Sequence, residues 1–293
     1  MSASTVKSYL RLVRLPNTFT AAADVTAGLS LGGAAWRDWP MAGALIVASM
    51  CLYAGGVALN DVCDASRDRI YRPERPIPSG QVRRDAALKT ALAFLAVGAA
   101  LAIAASPRSG LAAALLVGAI ILYDYALKRT PTAPAMMGVC RGLNLAMGLF
   151  ALAARGTSGT LLPIGIIWLY VTSVTYFARK EASGGSRARL LLGSAGIVIA
   201  FALLLELPSP GANNRVAFIV SVMLAALGAT ALGLRAAVAS SARATQSAVA
   251  WFVSGIVVLD ACLAWSASGV YAGLLVAAWL VPVALLGRTI RLS

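Results

Sequence analysis

The sequence predicts an all-α protein, a polytopic bundle of nine or ten transmembrane helices. Hydrophobic residues make up 59% of its 293 residues, charged residues only 12%, and the mean hydropathy is +0.80. A soluble domain of this length needs more charge on its surface. Apolar runs of about 20 residues recur along the chain, and such a run crosses the hydrocarbon core of a bilayer as a helix that makes all its backbone hydrogen bonds internally.

Ten apolar segments account for these runs. The last two are separated by almost nothing, so nine spans is the alternative count. We expect one integral-membrane domain covering residues 1–293, with spans near 17–35, 41–60, 87–105, 110–127, 135–154, 160–178, 189–206, 215–235, 249–267 and 269–287.

Basic residues are distributed unevenly among the connecting segments. If the N-terminus is cytoplasmic, 20 of the 25 lysines and arginines fall in inner segments and 4 in outer segments, with Arg141 left inside a span. This positive-inside pattern accounts for the formal net charge of +14 without a nucleic-acid partner. It predicts a multi-pass protein of the cell inner or plasma membrane, surrounded by lipid, whose charged loops face the cytoplasm. The sequence contains no histidine, which excludes histidine general bases and histidine metal ligands.

Three aspartates, which we call the acidic comb (Asp61, Asp64 and Asp68), follow the second apolar segment. Asn60, Asp64 and Asp68 are spaced i, i+4 and i+8, so a helix places these side chains on one broad face. Like charges on one face repel one another unless a cation neutralises them. Mg²⁺ takes oxygen ligands and shares them with substrate phosphates, and the Pro-broken, arginine-rich segment "RDRIYRPERPIPSG" follows. The pattern favours an Mg²⁺–diphosphate site over a solvated helix end that only marks the membrane boundary.

Three segments of the chain are similar to known motifs. They are "RLVRLPN" (Arg11 to Asn17), "NDVCDASRDRIYRPERPIPSG" (Asn60 to Gly80) and "LYDYALKRTP" (Leu122 to Pro131). The second resembles the first aspartate-rich motif of the UbiA superfamily of intramembrane prenyltransferases, N-D-x-x-D-x-x-x-D followed by Arg-Pro and Pro-Ser-Gly. The other two resemble the start of that family's first span and the tyrosine and Lys-Arg motif that ends its fourth span.

The resemblance covers essentially the whole chain and implies a helical bundle around a central cavity open to lipid. It implies an enzyme that uses Mg²⁺ to join a prenyl diphosphate to a lipophilic acceptor, either aromatic or otherwise apolar. In this reading the comb and Lys128 are catalytic, and the metal ligands are Asn60, Asp61, Asp64 and Asp68. The substrate-binding residues carried over are Asn17, Asn60, Arg72, Arg75, Tyr123 and Arg129.

The sequence departs from the family after the sixth span. The family normally carries a second acidic motif there, whereas this chain reads "TYFARKEASGGSRARL", in which Glu181 is the single acidic residue. In one interpretation Arg179 and Lys180, with Glu181 beside them, bind the diphosphate directly in place of one Mg²⁺. In the other the second metal site is lost and prenyl transfer no longer occurs.

The second interpretation is supported by a further resemblance. With "MGVCRGLNLAMG" (Met137 to Gly148), the segment "VTYFARKEASGG" resembles a divergent UbiA-like branch encoded with Ebo-type gene clusters, which is thought to handle or export a metabolite. The sequence therefore carries two hypotheses. The first is an intramembrane prenyltransferase, and the alternative is a non-catalytic membrane protein that binds or exports an apolar metabolite.

Polar residues also occur within the apolar segments. Arg141 and Asn144 are spaced i, i+3, and an intramembrane arginine is normally paired or lines a wet cavity. We expect both to contact substrate in the cavity, with Asp24 a candidate partner for Arg141. Asn17 and Asp24, seven residues apart, share a face that we expect to look onto the cavity. Asp260 lies deep in a late span, and the sequence offers no partner for it.

Overall fold

The structure, a computed structural model, describes residues 3–33, 38–152, 161–179, 186–208 and 212–289, and these residues contain no strand. The first half of the chain forms α1 (Ala3–Leu12), α2 (Leu15–Leu31), α3 (Trp39–Tyr71), α4 (Arg84–Ala105), α5 (Pro107–Leu122) and α6 (Ala133–Leu149). The second half forms α7 (Leu161–Ala178), α8 (Arg187–Leu203), α9 (Ala212–Ala239), α10 (Ala242–Ser268), α11 (Val270–Ala277) and α12 (Leu280–Thr289). Each of the ten predicted segments falls on a helix, the last on α11 and α12 together. The predicted all-α bundle is therefore confirmed.

Eight of the described helical segments are long and apolar enough to cross a membrane. They are α3, α4, α5 with the turn that follows it, α7, α8 with its last turn, α9, α10, and the α11–α12 segment Val270–Gly287. Helices α2 and α6 are shorter, at 17 residues each, and bury most of their side chains inside the bundle. These two central helices carry Asp24 and Arg141.

Helix α3 is much longer than a bilayer requires. Its first turn contains Pro40, and the Asp38 carboxylate accepts a hydrogen bond from the Met41 N–H at 2.9 Å, which caps the helix. Its 33 residues measure roughly 50 Å at about 1.5 Å per residue, against about 30 Å for the hydrocarbon core. The helix ends at Tyr71, just before Pro73. The extra length places the acidic comb beyond the apolar part of the span.

Two hydrophobic clusters form the core and meet at α2 and α6. One joins α2 and α6 to α7, α8, α9 and α10, and the other joins them to α3, α4 and α5. At the crossing of α2 and α6, Gly28 and Gly148 let the two backbones touch. A Cβ at Gly148 would collide with the carbonyl oxygen of Val25, and a Cβ at Gly28 with that of Leu145. The polar residues of α2 and α6 are therefore held at fixed positions by a close backbone contact.

We expect Gly148→Ala to destabilise the protein by about 1–3 kcal/mol, because the added methyl group must push two helix backbones apart. The matched control is Gly118→Ala on α5, where an added Cβ meets no atom within 4 Å. That control replaces a helical glycine by a better helix former, so its stability should stay equal or rise. Thermal unfolding of the purified variants in detergent checks the difference. Equal melting temperatures for the two variants would contradict the close packing described here.

Candidate active site

A cavity of about 410 Å³, here called the main cavity, lies among α2, α3, α5 and α6. One part of its wall is apolar and is formed by Leu52, Gly56, Val57, Leu116, Ile120 and Met137. The other part is strongly polar and is formed by Arg14, Asn60, Asp64, Arg67, Asp68, Arg72, Arg75, Tyr123 and Asp124. Such a cavity suits a molecule with an apolar body and an anionic head.

A second space of about 350 Å³, here called the basic chamber, adjoins the polar part of the main cavity. The two spaces share Asn60, Asp64, Arg67, Arg72 and Tyr123. The basic chamber, but not the main cavity, is also lined by Lys128, Arg129, Thr175, Ala178 and Arg179. Asp64 is therefore the carboxylate that faces both spaces. Arg179 is held at the end of α7 by a hydrogen bond from its Nη2 to the Thr130 carbonyl oxygen at 2.8 Å.

Each carboxylate of the acidic comb is paired with a basic side chain. The Nη1 of Arg75 lies 2.7 Å from Asp68 Oδ2 and 3.2 Å from Asp61 Oδ1, and Arg14 Nη2 lies 3.2 Å from the same Asp61 oxygen. The Nζ of Lys128 lies 2.9 Å from Asp64 Oδ1. The pairing relieves the repulsion among three carboxylates on one helix face.

The turn after α5 brings a fourth carboxylate to the comb. Residues Tyr123–Leu127 form a short π-helix, in which the Lys128 N–H donates to the Tyr123 carbonyl oxygen at 2.9 Å. Such π-turns are frequent at functional sites. Asp124 in this turn accepts a hydrogen bond from Asn60 Nδ2 at 2.6 Å, and its Oδ1 lies 3.8 Å from Lys128 Nζ.

Arg141 both lines the main cavity and forms an interior ion pair. Its Nη1 lies 2.8 Å from Asp24 Oδ2, and its Nη2 donates to Thr20 Oγ1 at 2.8 Å. Its guanidinium carbon lies 5.8 Å from the centre of the Tyr53 ring, at the distance of a cation–π contact. Arg141 therefore lines the cavity and pairs with Asp24, while its contact with substrate stays a prediction.

Asn144 and Asp260 complete this interior network. Asn144 donates from Nδ2 to Asp24 Oδ2 at 2.8 Å and accepts a hydrogen bond from Ser49 Oγ at 2.8 Å. The carboxyl group of Asp260 lies beside that of Asp24, and both residues are fully buried. Hydrogen bonds from Ser49 Oγ and Asn144 Nδ2 to the Ala21 carbonyl oxygen also belong to this network, which connects α2, α3 and α6.

Most of the predicted site residues line one of the two spaces. Asn60, Asp64, Asp68, Arg72, Arg75, Tyr123, Arg141 and Asn144 line the main cavity, and Lys128, Arg129 and Arg179 line the basic chamber. Neither lining includes Asn17 or Asp61, and Asp61 is engaged by Arg14 and Arg75 instead. Lys180 and Glu181 lie outside the described residues.

Four charged or aromatic residues in the lining of the main cavity were not predicted from the sequence: Arg14, Tyr53, Arg67 and Asp124. Arg14 and Asp124 lie within the motifs "RLVRLPN" and "LYDYALKRTP". Their charge and their position at the end of a span could therefore have identified them as site residues. Arg67 lies between Asp64 and Asp68, where it is one of the many basic charges of the inner segments. Tyr53 carries no distinguishing signal in an apolar helix.

The donor atoms at the polar part of the main cavity fit a hard divalent cation. Asn60, Asp64, Asp68 and Asp124 line it and carry side-chain oxygen atoms, and Asp64 Oδ1 is buried 2.9 Å from the Lys128 ammonium. In the described part of the chain, no three His, Cys, Asp or Glu side chains converge on one point as a closed metal cage. Mg²⁺ seldom uses such a cage, since it binds through one or two carboxylates and completes its shell with water and substrate phosphates.

Comparison with known proteins decides the family. The family model described as the UbiA prenyltransferase family matches residues 22–253, which is most of the chain. The chain belongs to the UbiA prenyltransferase family. The eight long, apolar helices among its described residues fit an integral, multi-pass membrane protein.

Solved structures of UbiA homologues share the fold over nearly their whole length. A UbiA homologue from Aeropyrum pernix superposes with a TM-score of 0.66 at 19% identity, covering 85% of this chain and 98% of the other. A UbiA homologue from Archaeoglobus fulgidus, solved with GPP and Mg²⁺, gives a TM-score of 0.64 at 15% identity, covering 92% of this chain and 99% of the other. At these identities the likeness shows a common fold.

Curated relatives match over a shorter stretch. The digeranylgeranylglyceryl phosphate synthase of Ignicoccus hospitalis is 40% identical over 126 residues, which is 43% of this chain and 40% of the relative. The synthase of the same name from Methanopyrus kandleri is 37% identical over 126 residues, or 43% of this chain and 46% of the relative. The match therefore spans less than half the length of these relatives.

Proposed function

We propose that this UbiA-family protein is a single-domain, Mg²⁺-dependent prenyltransferase that moves an isoprenoid group from a prenyl diphosphate to a lipophilic acceptor. The observation that carries the proposal is the lining of the main cavity, in which an apolar wall ends at Asn60, Asp64 and Asp68. These three residues would hold Mg²⁺, which supplies positive charge to neutralise the leaving diphosphate when it is bound. The charged loops and both spaces would face the cytoplasm in a cell inner or plasma membrane, in line with the charge distribution.

The reaction needs positive charge where the diphosphate leaves. The bond between the prenyl carbon and the diphosphate oxygen breaks, and its electron pair stays on the diphosphate. An acceptor oxygen forms the new bond to that carbon, and its proton passes to solvent or to the released diphosphate. Lys128, Arg72 and Arg67 lie where they would stabilise the negative charge that develops on the leaving group.

The acceptor is best assigned from the charge of the basic chamber. Eight basic side chains line the two spaces, and five carboxylates either line them or pair with these basic groups. The basic residues are Arg14, Arg67, Arg72, Arg75, Lys128, Arg129, Arg141 and Arg179, and the acidic residues are Asp24, Asp61, Asp64, Asp68 and Asp124. A prenyl diphosphate bound with Mg²⁺ would neutralise only part of this excess of positive charge. A phosphate monoester, with about −1.5 to −2 charge at pH 7, would balance it.

This charge balance favours a phosphate-bearing lipid acceptor over the aromatic acceptor expected from the sequence. The names of the curated relatives support the same choice, because digeranylgeranylglyceryl phosphate carries prenyl groups on a glyceryl phosphate. To test this, the protein in lipid nanodiscs is incubated with Mg²⁺, labelled geranylgeranyl diphosphate and one acceptor at a time. A prenylated glycerol phosphate lipid is the expected product. Transfer to a hydroxybenzoate-type aromatic acceptor alone would overturn the acceptor assignment and leave the prenyltransferase assignment standing.

We expect Arg179→Gln to raise the KM for the phosphate-bearing acceptor about 10- to 100-fold, because a hydrogen bond to a charged group contributes about 1.5–3 kcal/mol. The KM for the prenyl diphosphate should change less than threefold. The matched control is Arg187→Gln, which removes an exposed arginine at the start of α8. Initial rates at varied acceptor and varied prenyl diphosphate separate the two constants. A rise confined to the prenyl diphosphate KM would instead place Arg179 on the diphosphate.

The alternative function is binding or export of an apolar metabolite without bond cleavage. The replacement of the second acidic motif by the segment around Arg179 favours it. The two functions differ in one measurable respect. A non-catalytic protein would bind prenyl diphosphate or lipid without releasing diphosphate under any combination of acceptor and metal.

A further inference from the structure

The proposed function leaves one buried carboxylate in the site unused. The Asp124 side chain is only 2% exposed, yet it borders the main cavity beside two residues of the proposed machinery. Its Oδ1 accepts from Asn60 Nδ2 at 2.6 Å and lies 3.8 Å from Lys128 Nζ. A carboxylate buried to this degree is costly unless it is paired and hydrogen-bonded, so its partners explain its presence.

The hydrogen bond to Asn60 fixes the orientation of an amide. A carboxylate only accepts hydrogen bonds, so the side of the Asn60 amide that faces Asp124 must be the NH₂ group. The carbonyl oxygen of Asn60 is thereby directed away from Asp124. Because Asn60 itself lines both the main cavity and the basic chamber, that oxygen is available there as a ligand for a hard cation.

The contact with Lys128 closes a ring of four side chains. Lys128 Nζ lies between Asp64 Oδ1, at 2.9 Å, and Asp124 Oδ1, at 3.8 Å. Asn60 and Asp64 are one turn apart on α3, and Asp124 and Lys128 come from the π-turn after α5. A cation bound to Asp64 Oδ1 would take the place of the Lys128 ammonium, and Asp124 would offer that ammonium a second carboxylate within the site.

We propose that Asp124 is a positioning residue for the proposed transfer reaction: it turns the Asn60 carbonyl oxygen toward the metal position and retains Lys128 when a metal binds Asp64. The proposal rests on the proposed function. Asp124 touches neither substrate nor metal in this role and acts through Asn60 and Lys128. Outer partners of this kind typically change metal affinity by about 10- to 100-fold when they are removed.

The test measures metal binding apart from turnover. Thermal stability of the full-length protein in detergent is followed against Mg²⁺ concentration at a fixed, saturating level of a non-cleavable prenyl thiodiphosphate. Stabilisation by a ligand grows with its concentration, so the titration gives a half-saturating Mg²⁺ concentration. The variants are Asp124→Ala, which removes the acceptor, and Asp124→Asn, which retains an acceptor oxygen of the same size. Asp85→Ala is the control, since Asp85 is exposed and pairs with the exposed Arg83.

We expect the half-saturating Mg²⁺ concentration to rise about 10- to 100-fold in Asp124→Ala and by a smaller factor in Asp124→Asn. Asp85→Ala should match the wild type. If Asp124→Ala fails to fold, Asp124→Asn carries the test, and a half-saturating concentration equal to that of Asp85→Ala overturns the proposal. If Asp124→Ala folds and equals that control, the positioning role is wrong while the proposed function stands. If the wild type shows no Mg²⁺-dependent stabilisation, both are wrong.

Discussion

Asp64→Asn should lower the rate of prenyl transfer by about 10²–10³-fold, the largest loss of activity expected from a single substitution in this protein. Asp64 is the one comb carboxylate that faces both the main cavity and the basic chamber, and its Oδ1 lies 2.9 Å from the Lys128 ammonium. The amide preserves the shape of the side chain and removes the charge on which a divalent cation depends. The Mg²⁺-dependent stabilisation by a prenyl diphosphate analogue should disappear in the same variant.

Two further aspartates provide matched comparisons for this result. Asp61→Asn removes an equal charge from the same helix, but Asp61 is held by Arg14 and Arg75 and does not line the described cavities. We therefore expect it to lose less activity than Asp64→Asn. Asp85→Asn, on the exposed surface, should leave activity unchanged. Equal losses for Asp61→Asn and Asp64→Asn would contradict the placement of the metal position at Asp64.

Arg141→Met should produce the largest loss of stability, about 3–5 kcal/mol, because it leaves a buried carboxylate without its cation. Arg141 is the basic partner of Asp24, and Asp24 has Asp260 beside it. In the double variant Asp24→Asn with Arg141→Met, the uncompensated charge is gone and much of the stability should return. The control is Arg108→Met, which removes an exposed arginine at the start of α5.

Unfolding of these variants in detergent, followed by near-ultraviolet circular dichroism, checks the pairing. Non-additive losses in the double-variant cycle would measure the coupling between Asp24 and Arg141. Additive losses would show that the two side chains act independently, contrary to the 2.8 Å contact between them.

The helices were predictable because the apolar segments are long and separated by charged or Pro-containing loops. The acidic comb was predictable because its spacing lies within one helix. The basic partners that neutralise the comb could not be predicted. Lys128 is 64 residues from Asp64, and only the packing of the π-turn against α3 brings the two side chains together. Asp124 was overlooked for the same reason. Its proposed role depends on where the structure places Asn60. In the sequence, a carboxylate at the end of a span can equally be a charge that only marks the membrane boundary.

The interior network shows a different limit. The i, i+3 spacing of Arg141 and Asn144 indicated a shared face, and Asp24 was a candidate partner on sequence grounds. Asp260 could not be placed, because its neighbour Asp24 lies 236 positions earlier in the chain and the contact between α10 and α2 has no local signal. From the sequence, the basic chamber was indicated only by the missing second acidic motif after α7. The proposal that it holds a second anion rests on the convergence of Arg129 and Arg179 with the end of α3.

The most direct test of the account is the release of inorganic diphosphate by the wild-type protein in nanodiscs. Geranylgeranyl diphosphate is supplied with Mg²⁺ and a phosphate-bearing glycerol lipid, and diphosphate and prenylated lipid are quantified together. We predict that the two products appear in equal amounts, require all three components, and are lost in Asp64→Asn. Binding of geranylgeranyl diphosphate without release of diphosphate, for both phosphate-bearing and aromatic acceptors, would contradict the account and identify a non-catalytic binding or export protein.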